Sequence, residues 1–240
     1  MELSENESLL AGTDKRYQDG SYLAANESWH AEDSAWKAAK VLDILRRNGV
    51  QPSTLAEVGC SAGEILVELS RQLPKCSFVG YDISADAAEL WKGKSGPRLR
   101  YEHADLLEVE DHFDALLCMD VFEHVEDYMG FLREVRAKAG YQVFHIPLDL
   151  SVSNLSRELL TVKRERVGHL HYFTRETALA TLGDTGYTVL DWNYTLAFKE
   201  LPATSGKQRM AVLPRKALFA LSQDWGQRLI GGAALMVLAR

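Results

Sequence analysis

Residues 54–72 read Thr-Leu-Ala-Glu-Val-Gly-Cys-Ser-Ala-Gly-Glu-Ile-Leu-Val-Glu-Leu-Ser-Arg-Gln. The turn at their centre, Glu57-Val58-Gly59-Cys60-Ser61-Ala62-Gly63-Glu64, decides the fold. The short apolar run Thr54–Val58 reads as a buried strand. The residues after Gly63 carry a helical pattern to about Leu73, where Pro74 stops it. Glycine at such a strand-to-helix turn admits backbone conformations closed to other residues and lets a ligand approach closely. The helix start beyond it presents free N–H groups and a positive dipole, which suits a carboxylate or phosphate.

Outward from the turn the pattern repeats. Strands are predicted at Cys76–Ile83, Leu99–Asp105, Phe113–Asp120 and Tyr141–Ile146. Helices fall at Ala85–Trp91 and around Tyr128–Ala139. Alternation at this spacing predicts an α/β fold with a parallel sheet covered by helices on both faces. Upstream, Ser34–Arg47 carries an apolar stripe near the helical period and ends at Asn48-Gly49. Downstream the alternation loosens. A helix is expected at Thr174–Gly186, a strand at Tyr187–Ala197, a helix at Pro214–Trp225 and a last strand at Ala233–Ala239. That gives seven strands. The chain divides into an N-terminal helical lid segment, 1–50, and a ligand-binding domain, 51–240.

Acids mark the strand ends. Glu57, Asp82, Asp105 and Asp120 close four successive strands, at the edge where open parallel sheets bind ligands. Asp82 is placed to accept hydrogen bonds from both hydroxyls of a ribose, and Asp105 from an adenine amino group. Singly, each also reads as a helix cap or a solvated turn acid. The set with the glycine turn reads as one crevice.

These motifs together resemble the class I S-adenosylmethionine-dependent methyltransferases. The resemblance runs through EVGCSAG, VGYDIS, HADLLE, FDALLCMDVFEHVED and GHLHYFTRETALATLGDTGYTVLD, roughly Thr54–Asp191. The last segment is similar to the subgroup that includes the ubiquinone-pathway enzymes. The resemblance implies a Rossmann-like seven-stranded sheet in the order 3-2-1-4-5-7-6 with strand 7 antiparallel. It implies S-adenosylmethionine as methyl donor. Gly59, Ser61 and Gly63 would pass under its methionyl part, with Glu57 near the ammonium. Asp82 and Ile83 would meet the ribose end, Asp105 and Leu106 the adenine, and Asp120 the crevice between. Glu57 would repel a pyrophosphate, which argues against a dinucleotide. Ser61 departs from the pattern, where a middle glycine is usual.

Methyl transfer to a hydroxyl needs a group that takes its proton. His124 follows Asp120 and Glu123 just past the fourth strand, and His169 precedes the late helix; these two are the candidate catalytic residues. His145, inside the fifth strand, reads as structural. The Glu123-His124 pair has two readings, a loop cap or part of a divalent-metal set with Asp120 and His169; the site is taken as metal-free, with the ion as the alternative. Tyr17, Tyr22, Trp29, His30, Trp36 and Lys37 could close over the crevice as a lid. The segment Leu148–Val167 is a second candidate wall of the acceptor pocket, and its run Lys163-Arg164-Glu165-Arg166 reads as a solvated face, with contact to an anionic acceptor as the alternative.

Composition sets the outer bounds. The chain has 240 residues, 46 % hydrophobic and 25 % charged, enough for a full core without disulfides or metals. Its 27 Lys and Arg against 34 Asp and Glu leave a charge of −7, which argues against a broad nucleic-acid surface. The cysteines Cys60, Cys76 and Cys118 read as reduced thiols. The acidic start MELSENESLL does not resemble a secretory signal, and the apolar run at 229–239 is too short for a membrane span. The expectation is a cytoplasmic enzyme that methylates a small molecule, at oxygen. An RNA or protein methyltransferase and a non-catalytic cofactor-binding scaffold are the alternatives.

Overall fold

The computed structural model describes residues 33–202 and 215–240. Helix α1 (Ser34–Arg47) spans the predicted segment. Its apolar stripe, Ala38, Val41, Leu42, Ile44 and Leu45, is buried in the core. At its C-terminal end Asn48 donates to the carbonyl of Ile44 at 2.8 Å, satisfying a last-turn carbonyl that has no partner inside the helix. Arg47 then ties the helix to the far edge of the sheet through Asp191 at 2.5 Å and Asn193 at 2.6 Å.

Strand β1 (Thr54–Val58) leads through the glycine turn into α2 (Glu64–Gln72). Then follow β2 (Ser77–Asp82), the short α3 (Ala85–Glu89), β3 (Leu99–His103) and β4 (Phe113–Met119). Helix α4 (Tyr128–Arg136) connects to β5 (Ala139–Pro147). Two short helices, α5 (Val152–Ser156) and α6 (Leu159–Arg166), precede α7 (Arg175–Asp184) and β6 (Val189–Thr195). A turn of helix, α8 (Ala197–Glu200), a helical segment at 215–221, α9 (Gln223–Leu229) and β7 (Ala234–Ala239) complete the described chain.

The sheet order is β3-β2-β1-β4-β5-β7-β6, with β7 antiparallel to both neighbours and the other pairs parallel. The register of β1 on β4 is pinned by Asp114. Its carboxylate accepts the N–H groups of Ser53 at 2.8 Å and Thr54 at 3.0 Å, and these bonds hold its carboxyl below the usual range. Side chains alternate across the central strands, as a pleat requires. Ala56, Val58, Leu116 and Cys118 face one core with α4 and α7, while Leu55, Ala115 and Leu117 face the other with α1 and α2. All three cysteines are buried free thiols.

Several predicted boundaries shift, each for a local reason. The third strand stops at His103, because the Asp105 carboxylate accepts the N–H of Leu107 at 2.8 Å and turns the chain into a single 3-10 turn, Leu106–Glu108. The helix expected over Pro214–Trp225 is broken at Ser222, whose hydroxyl accepts the Trp225 N–H at 3.3 Å and starts α9 afresh. Thr174 caps α7 as expected, and Thr177 reciprocates in a capping box. Of the predicted lid segment, Trp36 and Lys37 lie on α1, whereas Tyr17, Tyr22, Trp29 and His30 lie outside the described residues. Among the described residues no helix is long and apolar enough to cross a membrane.

Candidate active site

The strand order turns back between β1 and β4, and a crevice opens there at the carboxyl ends of the strands, as such sheets require. It holds a cavity of about 460 Å³, within the range of small-ligand sites. The glycine turn forms one wall. Gly59 and Gly63 have φ of +64° and +76°, conformations that a side chain disfavours. A Cβ on Gly63 would lie 2.4 Å from the Tyr101 ring, whose hydroxyl donates to the Gly63 carbonyl at 2.7 Å. Between them Cys60 is buried, and burial pushes its thiol pKa up.

Ser61, at φ +50°, adopts the left-handed conformation without being glycine. Its N–H donates to Asp82 at 2.8 Å, and its carbonyl accepts from the Trp91 indole at 2.8 Å. Those bonds use backbone only, so Ser61→Gly keeps them and removes a conformational strain of about 1–2 kcal/mol. The greater freedom of glycine in the unfolded chain offsets part of that. The expected net gain is about 0.5–1 kcal/mol, read as a higher urea midpoint at unchanged slope.

The four acids separate in the structure. Glu57 and Asp120 line the cavity. Asp82 does not; one oxygen takes the Ser61 N–H and the other the Ser84 N–H at 2.9 Å, clipping the turn to the end of β2. Asp105 also lies off the cavity wall and caps its own turn. Beside them Ile83 is 40 % exposed and Leu106 is fully buried in the core.

Glu57 is 1 % exposed, and its Oε2 has no hydrogen-bond partner. Burial pushes its pKa well up, and the nearby Lys37 ammonium only partly opposes this. A buried acceptor left open at a cavity wall costs free energy until a donor arrives. A cationic donor fits that place best.

Asp120, at φ +57°, sits between an imidazole and an ammonium. Its Oδ1 lies 2.6 Å from His145 Nδ1 and its Oδ2 2.9 Å from Lys37 Nζ. Burial works to raise its pKa, but His145 and Lys37 overcome that and hold it far below the usual range. The other nitrogen of His145 meets the Thr195 hydroxyl at 2.9 Å, so both ring nitrogens are engaged. His145 is thus structural, as its place in β5 suggests, although it borders the cavity.

The histidines meet around Glu123. The Glu123 carbonyl accepts the N–H groups of Leu170 at 2.8 Å and His171 at 3.1 Å, which draws the segment before α7 against the turn after β4. His124 and His169 consequently meet edge to face with ring centroids 4.9 Å apart. The Asp149 carboxylate lies 2.6 Å from His169 Nδ1 and 2.6 Å from Lys163 Nζ. Although burial raises it, those two partners keep the Asp149 pKa below the usual range. An ionised Asp149 accepts from Nδ1–H, which leaves the lone pair on His169 Nε2. Lys163 therefore faces the site, not solvent as its charge run suggests.

Glu123 itself is 0 % exposed, and neither carboxylate oxygen has a hydrogen-bond partner, although His124 Nε2 stands 4.0 Å from Oε1; burial pushes its pKa well up. Ligand atoms of Glu123, His124 and His169 lie within 4.8 Å of one another. This donor set, a carboxylate with two imidazoles, fits a divalent transition ion, and Asp149 on His169 is the outer partner such ligands carry. Asp120 stays out of the set because Lys37 and His145 hold it.

Sequence reasoning missed Asp149, Thr195 and Arg215, which all line the cavity. Asp149 was findable: it follows Pro147 at the end of the fifth strand, the position logic that picks out the other acids. Thr195 and Arg215 carry no such signal.

The sheet order, the antiparallel β7 and the glycine turn after β1 define a Rossmann-like methyltransferase fold. The chain belongs to the methyltransferase-domain family, whose profile matches residues 29–191. A trans-aconitate 2-methyltransferase of Deinococcus radiodurans is 27 % identical over 78 residues, covering 32 % of this chain and 30 % of the relative. A ubiquinone biosynthesis O-methyltransferase of Aliivibrio fischeri is 26 % identical over 118 residues, covering 45 % of this chain and 49 % of the relative. The match thus spans half or less of either relative's length. Among solved structures, magnesium protoporphyrin IX methyltransferase from Synechocystis, with bound SAH, superposes with a TM-score of 0.56 at 13 % identity over 85 % of this chain and 82 % of that one. An N-methyltransferase from Bradyrhizobium japonicum in complex with S-adenosyl-L-homocysteine gives 0.54 at 16 % identity over 85 % of each chain.

Proposed function

We propose that this protein transfers the methyl group of S-adenosylmethionine to a hydroxyl of a small molecule. The observation that carries the reading is Glu57, a buried carboxylate with an open oxygen beside the Gly59–Gly63 turn. S-adenosylmethionine supplies an electrophilic methyl group when bound. Glu57 pairs with its ammonium, and the bare glycine backbone admits its methionyl chain. Asp82, Ile83, Asp105 and Leu106 stand at the ends of β2 and β3, on the ribose and adenine side. Asp82 has lone pairs left after its two backbone bonds. His169 Nε2 takes the proton of the acceptor hydroxyl, and Asp149 stabilises the imidazolium that forms. His124 flanks the acceptor. Oxygen is favoured because an oriented base is present, and the name of the Aliivibrio relative agrees. The names of both curated relatives support a small-molecule acceptor.

Calorimetry with S-adenosylmethionine tests the cofactor half. The parent is expected to bind, and Glu57→Gln to lose roughly 10- to 100-fold in affinity, the worth of a charged hydrogen bond. Asp82→Ala is expected to weaken binding as well by loosening the turn. A parent that does not bind at millimolar concentration overturns the reading, as does equal binding by parent and both variants.

A second reading has its own observation, the Glu123, His124 and His169 donor set. Those residues would hold a divalent ion able to lower the pKa of a coordinated acceptor hydroxyl. Chelation separates the two readings.

A further inference from the structure

Beyond the glycine turn the cavity changes sign. Its β1 side presents Glu57, with Glu64 already matched by Lys94 at 2.7 Å, whereas its β7 side, the third strand from β1, presents Arg215. The other cavity cations with ordinary positive charge are already matched: Lys37 by Asp33 and Asp120, Lys163 by Asp149. Arg215 has no acidic partner among the described residues, and its buried Nε has no hydrogen bond. Its guanidinium is nonetheless held in place. It lies 5.1 Å from the centre of the Phe198 ring, and a Cβ on Gly232 would come within 3.2 Å of its Cζ and Nη1. Bare backbone at Gly232 thus lets the planar group lie flat. Arg157, on the loop after α5, adds a second positive charge: after burial, its field is the next influence lowering the Arg215 pKa. A guanidinium at a cavity wall, without a carboxylate partner among the described residues, favours an anion from outside.

We infer that Arg215, backed by Arg157, anchors an oxyanion of the acceptor, so that the substrate is a small hydroxylated molecule carrying a carboxylate or phosphate. This deepens the methyltransferase reading and rests on it. A planar carboxylate matches the fork of Arg215 in two parallel bonds. The anion is then fixed on the β7 side while the hydroxyl points toward His169. The arrangement also keeps the two ligands apart, because Glu57 receives the ammonium and Arg215 the anion at opposite ends of the cavity.

The test uses hydroxy acids, the phosphate esters of matching diols, and the neutral carboxamides of the same acids. Each is titrated into the full-length protein loaded with S-adenosylhomocysteine, and each is assayed for methylation. The parent is expected to favour the anionic members at least tenfold over the amides, and the acid and phosphate arms show which oxyanion is preferred. Arg215→Gln is expected to abolish that preference and to raise KM for the acids about 10- to 100-fold. Arg215→Lys keeps part of it, and Arg157→Gln causes a smaller loss. S-adenosylmethionine affinity is expected to stay at the parental value in all three variants, which also shows that they fold. A parent that treats acids and amides alike, that binds no anionic member of the panel, or whose preference survives in Arg215→Gln overturns the inference. Failure of S-adenosylmethionine to bind the parent overturns the methyltransferase reading instead.

Discussion

Replacing His169 with alanine is expected to lower kcat roughly 10²- to 10⁴-fold, the usual contribution of a positioned base, with S-adenosylmethionine affinity unchanged. The fold is expected to survive, because Asp149 keeps its ion pair with Lys163 at 2.6 Å when the imidazole is removed. The Leu170 and His171 backbone bonds to Glu123 also remain, since neither uses the His169 side chain. Asp149→Asn should fall between the parent and the alanine variant: an amide can still touch Nδ1, but it no longer favours a charged ring. The base reading predicts a loss in kcat larger than any rise in KM. A His169→Ala enzyme within twofold of the parent removes His169 from the chemistry. The parent enzyme dialysed against a chelator separates base from metal. Full activity after dialysis supports the proton-transfer role, and loss restored by one divalent ion transfers the role to the Glu123, His124 and His169 set.

Asp120→Asn is expected to destabilise the fold by about 3 kcal/mol, the lower end of the cost of breaking a buried ion pair from one side. The lower end applies because the Asp120 side chain remains 24 % exposed. Asparagine tolerates the left-handed backbone that Asp120 adopts, so the change isolates charge from conformation. It leaves Lys37 with Asp33 alone, at 3.2 Å, and leaves His145 facing an amide. Because Asp120 is more acidic in the folded protein than in the unfolded chain, its contribution is complete above pH of about 4 and declines as the pH falls below that. Urea titrations at pH 7 and pH 3 measure this. The gap between parent and variant is expected to narrow at the lower pH, and an equal gap at both would remove the ion pair as the cause.

The sheet was legible because its code is local. Short apolar runs, helical periods and a glycine turn each speak for themselves, and Thr174 and Asn48-Gly49 announce their helix ends. Register was not legible: nothing near Asp114 in the sequence says that its carboxylate will take two N–H groups from the start of β1. Of the candidate site, Glu57, Asp120, His124 and His169 were found from strand ends and motif likeness, and all four line one cavity. Asp82 and Asp105 were found on the same grounds, yet their carboxylates serve backbone N–H groups that a pattern of types cannot reveal. What stayed hidden was pairing over long separations. Lys37 meets Asp120, Asp149 meets His169, and Thr195 meets His145 only because separate elements dock. Arg215 was hidden for the opposite reason: its interest lies in the acid it does not meet.

The thiol of Cys60 gives the glycine turn a clock. It is packed within the turn, close enough to Gly80 that a Cβ there would approach its sulfur to 2.8 Å, and its acidity is suppressed by burial. A reagent in solution therefore reaches it through openings of the turn, at a rate that scales with the fraction of time the turn is open. Any molecule that settles against the turn slows that opening, so its residence is written into the lifetime of one native cysteine.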